Sequence, residues 1–213
     1  MKRNLFSKIN IVIVLASLLN VLAFSNAFGK PFFSYYPGKD VNDETIIVTG
    51  DSYAGYFASY ECNKDYNIII YAEAGRSTKE NYEMMLNAVG LYPKTVVISL
   101  GVNDHNKNEA PSDFKTRIEE LVKLCKQHSK RVILHTYMDY GPAFTKKDKT
   151  VLSFEVQEYD EILKDIGSRY SNAFYIDMSD YEKEQYLQAD KIHYNTLFYD
   201  ELYNRITTAM MLF

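Results

Sequence analysis

Apolar residues fall along this chain in two alternating spacings. Of five short runs, Thr45–Thr49, Asn67–Tyr71, Thr95–Leu100 and Arg131–Thr136 are rich in Ile and Val, and Ala173–Asp177 carries Phe, Tyr and Ile. Thr95–Leu100 is apolar on both faces, as a central parallel strand should be. Between the runs, apolar positions recur three and four apart, the spacing of a helix with one buried face. Tyr53 to about Cys62 reads as a short aromatic helix. Tyr82, Met85, Leu86 and Val89 line the next. Phe114, Ile118, Leu121, Val122 and Cys125 line a third. Tyr159, Ile162, Leu163, Ile166 and Tyr170 line a fourth, and Phe198, Leu202, Ile206 and Met210 the last.

Punctuation supports these limits. Ser77-Thr78-Lys79-Glu80 is a capping box that opens the second helix, with Glu80 reaching back to Ser77. Gly90 and Pro93 close it. Pro111-Ser112 starts the third, and Asn195-Thr196 the last. Tyr137 to about Leu152, with Gly141 and Pro142, reads as one long irregular stretch. Strand and helix alternate five times, which predicts an α/β domain with a parallel sheet, right-handed crossovers and helices on both faces.

The first 27 residues do not fit that alternation. Lys2, Arg3 and Lys8 precede an uncharged run from Ile9 to Phe24, and Ser25-Asn26-Ala27 offers small residues for cleavage. This is the layout of a secretory signal peptide, with an uncleaved membrane anchor as the alternative. Either way the folded part is expected outside the cytoplasm, secreted or at the cell surface. Residues 28–42 form a lead-in and 43–213 the domain. Removing the three basic residues of 1–27 from the chain's 24 leaves 21 against 28 acidic ones, a net charge of −7. An acidic surface argues against nucleic acid as a partner. Two cysteines, Cys62 and Cys125, make no disulfide framework, and there is no His/Cys cluster of metal-ligand spacing.

The candidate chemistry gathers at one sheet edge. Ile46-Ile47-Val48-Thr49-Gly50-Asp51-Ser52 is a buried strand running into a tight turn and then a helix. Ser52 therefore stands at the carboxyl end of a strand, where open α/β sheets place ligands. It is a candidate nucleophile, or else an N-cap. A serine hydroxyl needs a base. His128 ends a predicted helix and His135 lies within a strand. His105 sits in a polar loop. His193 follows the fifth strand, with Asp190 three residues earlier, close enough in a turn to orient the imidazole. Three donors are placed for an oxyanion: the N–H groups of Ser52 and Gly75, and the side-chain amide of Asn103.

Gly50-Asp51-Ser52, Gly75, Gly101-Val102-Asn103-Asp104 and Asp190-Lys191-Ile192-His193 resemble, in order and spacing, the four sequence blocks of the SGNH/GDSL hydrolases. The resemblance spans essentially the whole mature chain. It implies a three-layer α/β/α, flavodoxin-like fold with a five-stranded parallel sheet of order 2-1-3-4-5. It also implies Ser52 as nucleophile, His193 as base, Asp190 as its orienting acid, and Ser52, Gly75 and Asn103 as oxyanion donors. Tyr53 departs from the leucine often found there, and Lys191 and Tyr194 from the Gly and Pro common around the histidine.

The activity so implied is an exported serine esterase that needs no metal or organic cofactor. Its expected substrates are small acyl esters, acetyl above all, on carbohydrate. Lipid esters, acyl transfer to a sugar hydroxyl, and non-catalytic glycan binding on the same fold are the alternatives. Asp51, Tyr53, Arg76, Tyr137, Asp139 and Tyr140 are the candidate substrate contacts, the last three in the 137–152 stretch. A membrane is a partner only if the N-terminal segment stays as an anchor. The implied strand order puts the first and last helices on one face and the other three opposite. Cys62 and Cys125 would then lie on opposite sides of the sheet, too far apart to bridge.

Overall fold

The computed structural model describes residues 32–34, 45–59, 68–90, 94–128, 130–136, 149–181, 184–189 and 193–212. The N-terminal segment 1–27, Cys62, the loop residues Tyr137, Asp139 and Tyr140, and Asp190 lie outside them. Six strands form one sheet: β1 (Phe32–Ser34), β2 (Ile46–Gly50), β3 (Ile68–Ala72), β4 (Thr95–Ser99), β5 (Arg131–His135) and β6 (Ala173–Ile176). The helices are α1 (Ser52–Ser59), α2 (Thr78–Gly90), α3 (Val102–Asn106), α4 (Pro111–Gln127), α5 (Lys149–Arg169) and α6 (Thr196–Met211).

The sheet order is β1-β3-β2-β4-β5-β6. β2 to β6 are parallel and run in the expected order 2-1-3-4-5. The lead-in adds a sixth strand, since β1 pairs antiparallel with β3, Phe33 opposite Tyr71. Three residues carry too short a pattern to read as a strand in sequence, and the pairing partner supplies the order. A second correction concerns the stretch after β5. Helix α5 starts at Lys149, not beyond Leu152, so its first turn takes in residues that read as loop.

The central strands are buried along their whole length. Every residue of β2 and β4 is enclosed, as a parallel sheet covered on both faces requires. On one face α1 meets α6: the Phe57 and Tyr199 rings lie 5.1 Å apart, and the Tyr199 hydroxyl donates to the Tyr53 carbonyl at 3.1 Å. On the other, α4 packs between α2 and α5 and buries Phe114, Ile118, Leu121, Val122 and Cys125, the five residues its spacing selects. Cys125 is a free thiol there, and burial pushes it up to about 12, which leaves it a packing group.

Gly50 closes β2, and its lack of a side chain is a steric requirement. A Cβ built there would lie 1.8 Å from the Ser99 carbonyl oxygen on β4 and 2.7 Å from its carbon. Backbone cannot give way as a flexible side chain can. The Asp51 N–H donates to that same Ser99 oxygen at 3.3 Å, so the strand end is drawn against its neighbour just before Ser52. Gly50→Ala should therefore separate β2 from β4 and cost more than about 3 kcal/mol of stability, the range of severe backbone and overpacking lesions. Thermal and urea unfolding of the purified variant check this; a loss below about 1 kcal/mol would mean that the crossing is softer than its geometry.

Candidate active site

Ser52 is the first residue of α1, and half-buried. It does not cap the helix. Asp51 does, its Oδ1 accepting the Tyr53 N–H at 2.9 Å. The Ser52 N–H is one of the first-turn donors with no acceptor inside the helix. The Ser52 hydroxyl and its own N–H are thus both presented at the carboxyl edge of the sheet, at the positive end of the α1 dipole.

The other Asp51 oxygen accepts from the Asn103 side-chain amide at 3.0 Å. Asn103 lies in α3, which begins directly after β4 and the turn at Gly101. One buried carboxylate therefore fixes both the helix that carries Ser52 and the amide that stands across from it. Burial pushes the Asp51 carboxyl up to about 7, against the two hydrogen bonds that favour its charged form.

Gly75 lies in the turn after β3, exposed, with φ at +77° and open space where a side chain would be. The Glu73 N–H donates to the Gly50 carbonyl at 3.0 Å, and the Asn81 amide donates to the same oxygen at 3.1 Å. These bonds tie the β3 turn and the start of α2 to the end of β2. Ser77 behaves as half a capping box. Glu80 accepts its N–H at 3.0 Å, but its hydroxyl points to Glu109 at 3.5 Å.

His193 is half-buried and packs against α1. Its ring lies 4.4 Å from that of Tyr56 and 5.7 Å from that of Tyr53. Tyr56 and Ser52 are four residues apart, on one face of α1, so the imidazole stands on the face that carries the serine. The main chain around it is fixed: the Gln188 N–H donates to the His193 carbonyl at 2.7 Å, and Leu187 bridges Tyr194. The other histidines have other surroundings. His135 is buried in β5, where desolvation pulls it down to about 4 and keeps it neutral. His128 caps the end of α4, and the His105 ring meets Tyr159 edge-on at 6.4 Å.

Ser52, Gly75, Asn103 and His193 are thus brought to one edge by hydrogen bonds and ring contacts. Two other expected residues, Asp51 and Tyr53, are buried and placed differently from a substrate contact, and a third, Arg76, is ion-paired. Asp51 is fully buried and faces Asn103. Tyr53 is 1% exposed and lies beneath His193. Arg76 pairs with Glu73 at 2.5 Å and donates to the Glu80 carbonyl at 3.4 Å, with its side chain 35% exposed. Sequence reasoning missed Tyr56, whose one signal is its four-residue spacing from Ser52. It also missed the partners of Asp104, a second acid in the Gly101–Asp104 block. Among the described residues no group of three His, Cys, Asp or Glu side chains is gathered as metal ligands.

Residues 38–200 match the model of the GDSL-like lipase/acylhydrolase family. No curated protein matches the chain. Among solved structures, a GDSL-like lipase from Bacteroides thetaiotaomicron is similar with a TM-score of 0.68 at 15% identity, over 82% of this chain and 91% of that one. The psychrotrophic esterase EstA from Pseudoalteromonas sp. gives 0.60 at 20%, over 79% and 99%. An acetylxylan esterase from Geobacillus stearothermophilus gives 0.62 at 15%, over 76% and 93%. At these identities the likeness is one of fold.

The Asp51–Asn103 bond gives a sharp expectation. In Asp51→Asn the new carbonyl keeps the Tyr53 N–H, and the new amide faces Asn103 as a donor. Asn103 must then turn its own carbonyl inward, and the donor it offered is lost. For hydrolysis of a chromogenic acetyl ester, kcat should fall roughly 10²–10³-fold with little change in KM, the cost of one oxyanion donor. The same variant reports on stability. The folded Asp51 holds its proton up to about 7, well above the ordinary value of 3.8. Its contribution is therefore full below about pH 4 and is lost as pH rises through 7. Melting temperatures measured from about pH 5 to about pH 8 should fall less steeply in Asp51→Asn than in the unsubstituted protein. An equal slope would remove Asp51 as the titrating group.

Proposed function

The chain belongs to the GDSL-like lipase/acylhydrolase family and is an ester hydrolase, and from that premise we propose that it is an exported serine esterase that removes small acyl groups, acetyl above all, from carbohydrate. One observation carries the catalytic assignment. Ser52 and Asn103, which lie after different strands, are linked through the single carboxylate of Asp51, and His193 stands on the Ser52 face of α1.

In this mechanism His193 takes the Ser52 proton as the hydroxyl oxygen attacks the ester carbonyl. The carbonyl oxygen becomes negative and is met by the Ser52 and Gly75 N–H groups and the Asn103 amide. The alkoxide leaves with the proton returned by His193, and an acyl-enzyme remains on Ser52. Water then attacks, again with His193 as base, and free acid and Ser52 are regenerated. Asp190, three residues before His193, is the acid that orients the imidazole and stabilises its charged form. The backbone bonds around Gln188, Leu187 and Tyr194 fix the His193 segment, which supports that reading.

The acetyl and carbohydrate parts of the proposal are supported by the fold shared with an acetylxylan esterase and by the signal-peptide layout of residues 1–27. Tyr137, Asp139 and Tyr140, which follow β5 in the sequence, are the residues proposed to meet the sugar.

Purified protein lacking residues 1–27 should hydrolyse p-nitrophenyl acetate and release acetate from acetylated xylan oligomers. Ser52→Ala should lower kcat on the order of 10⁶-fold while the melting curve stays cooperative. More than a few per cent of residual rate would remove Ser52 from the mechanism. Activity confined to long-chain esters would move the substrate class to lipids.

A further inference from the structure

Beyond the catalytic set lies a buried polar cluster that joins the two loops of the proposed oxyanion donors. Gly75 comes from the turn after β3, and Asn103 from α3, directly after β4. Three residues past Gly75, Thr78 opens α2, and directly beside Asn103 stands Asp104. The Thr78 N–H donates to both oxygens of Asp104, at 3.1 and 3.0 Å, and the Thr78 hydroxyl donates to Oδ1. Asp104 thus caps α2 from a different loop, the place a local serine or aspartate ordinarily takes. Thr78 and Asp104 are both fully buried.

Arg117, on α4, completes the cluster. Its Nε donates to the Thr78 hydroxyl oxygen at 2.9 Å. Its Nη2 stands 3.3 Å from Glu109 and 3.8 Å from Asp104. Glu109 in turn accepts from the Ser77 hydroxyl at 3.5 Å and gives its N–H to the Asp104 carbonyl at 2.9 Å. Each type has a reason. A hydroxyl can donate to Asp104 and accept from Arg117 through one atom, as Thr78 does. Two carboxylates five residues apart, with side chains 0% and 15% exposed, would repel without a cation between them. The planar fork of arginine reaches Thr78 and Glu109 from separate nitrogens, which a lysine ammonium cannot reproduce.

We propose that Arg117 is a positioning residue of the esterase: through Thr78 and Asp104 it sets the distance between the Gly75 and Asn103 donors. This rests on the assignment of Ser52, Gly75 and Asn103 above. Arg117 itself lies on α4 and takes no part in the reacting atoms. Its effect should fall on the transition state, where both donors must meet one oxygen, and leave ground-state binding nearly unchanged.

The test uses Arg117→Met, which keeps the apolar stem, with Arg117→Lys, Thr78→Val and the Thr78→Val/Arg117→Met pair. On p-nitrophenyl acetate, Arg117→Met should lower kcat roughly ten- to hundredfold with KM within about twofold. Arg117→Lys should recover part of that loss. The double variant should lose no more than the worse single one, because both remove the same link. Amide hydrogen exchange should quicken in peptides covering residues 73–78 and 101–106 and stay unchanged in the core strands β4 and β5. Wild-type kcat in a folded Arg117→Met, a change in KM alone, or additive losses in the pair would overturn the proposal. Should Arg117→Met fail to fold, Thr78→Val carries the same kinetic and exchange expectations. An unsubstituted protein that turns over no ester would remove the Ser52 assignment instead. The link between the loops would still stand or fall on the exchange measurement.

Discussion

The carboxylate of Asp51 is the group on which the proposed site depends. It lies wholly inside the protein, yet it has two separate obligations. One oxygen caps α1 at the Tyr53 N–H, and the other holds the Asn103 amide. Its backbone is pinned as well, since its N–H bonds the Ser99 carbonyl and its own carbonyl accepts from Gly55. A side chain so tied converts the positions of two strands, β2 and β4, into the relative position of a hydroxyl and an amide. That is what an acyl-transfer site needs: donors fixed before the charge appears, so that no reorganisation is demanded at the moment of reaction. Gly50 makes this possible one residue earlier, because only a residue without Cβ lets the β2 end approach Ser99 so closely.

Much of this was legible from residue spacing, and the rest was not, for physical reasons. The strands β2 to β6 announce themselves because a strand buried on both faces must be apolar throughout, and Ile46-Ile47-Val48 and Thr95-Val96-Val97-Ile98 are nearly so. The α4 stripe from Phe114 to Cys125 is equally plain, since a helix buries one face at fixed spacing. Antiparallel β1 was not legible. Its order comes from hydrogen bonds to β3, a partner far along the chain. Glu80 reaching back to Ser77 could be read locally. The hydroxyl of Ser77 turning to Glu109 could not, because that choice depends on a residue 32 positions away. Asp51 shows the same limit. Beside a candidate nucleophile it reads as a group for substrate, and only the fold shows that it faces inward to Asn103.

The aromatic surroundings of His193 extend the point. Tyr53 takes the place where the resembling family often has leucine, and its ring is buried as a leucine would be. A phenol there adds a polar tip to an apolar body. Tyr53 and Tyr56 together give the imidazole a partly apolar seat on α1, with ring centroids at 5.7 and 4.4 Å. Tyr194, beside the histidine, stacks on Phe198 of α6 at 4.0 Å and so fastens the His193 segment to the helix that follows. Composition alone cannot assign such tyrosines, but their placement does. They flank the imidazole from the apolar side, while the backbone bonds around Leu187 and Gln188 hold its segment from the other.

Both acids behind the proposed donors are raised by burial, Asp51 to about 7 and Asp104 to about 6. A chain selected for stability alone would replace such groups with apolar ones, since a desolvated carboxylate seldom recovers its full cost from its partners. Here each acid is kept next to a residue whose orientation matters, Asn103 for one and the start of the Gly75-to-Thr78 loop for the other. An apolar substitute could fill the volume but could not choose which end of an amide faces the site, nor accept the N–H that opens α2. Hydrogen-bond direction is the property that packing cannot supply. Folding stability is therefore given up where the proposed chemistry needs a fixed donor, and recovered in the apolar core along β2, β4 and β5, whose burial is complete or nearly so. The rigid sheet and the costly acids are two parts of one arrangement. Without the first the second would not stay folded, and without the second the sheet would present Ser52 with no fixed amide across from it for the proposed reaction.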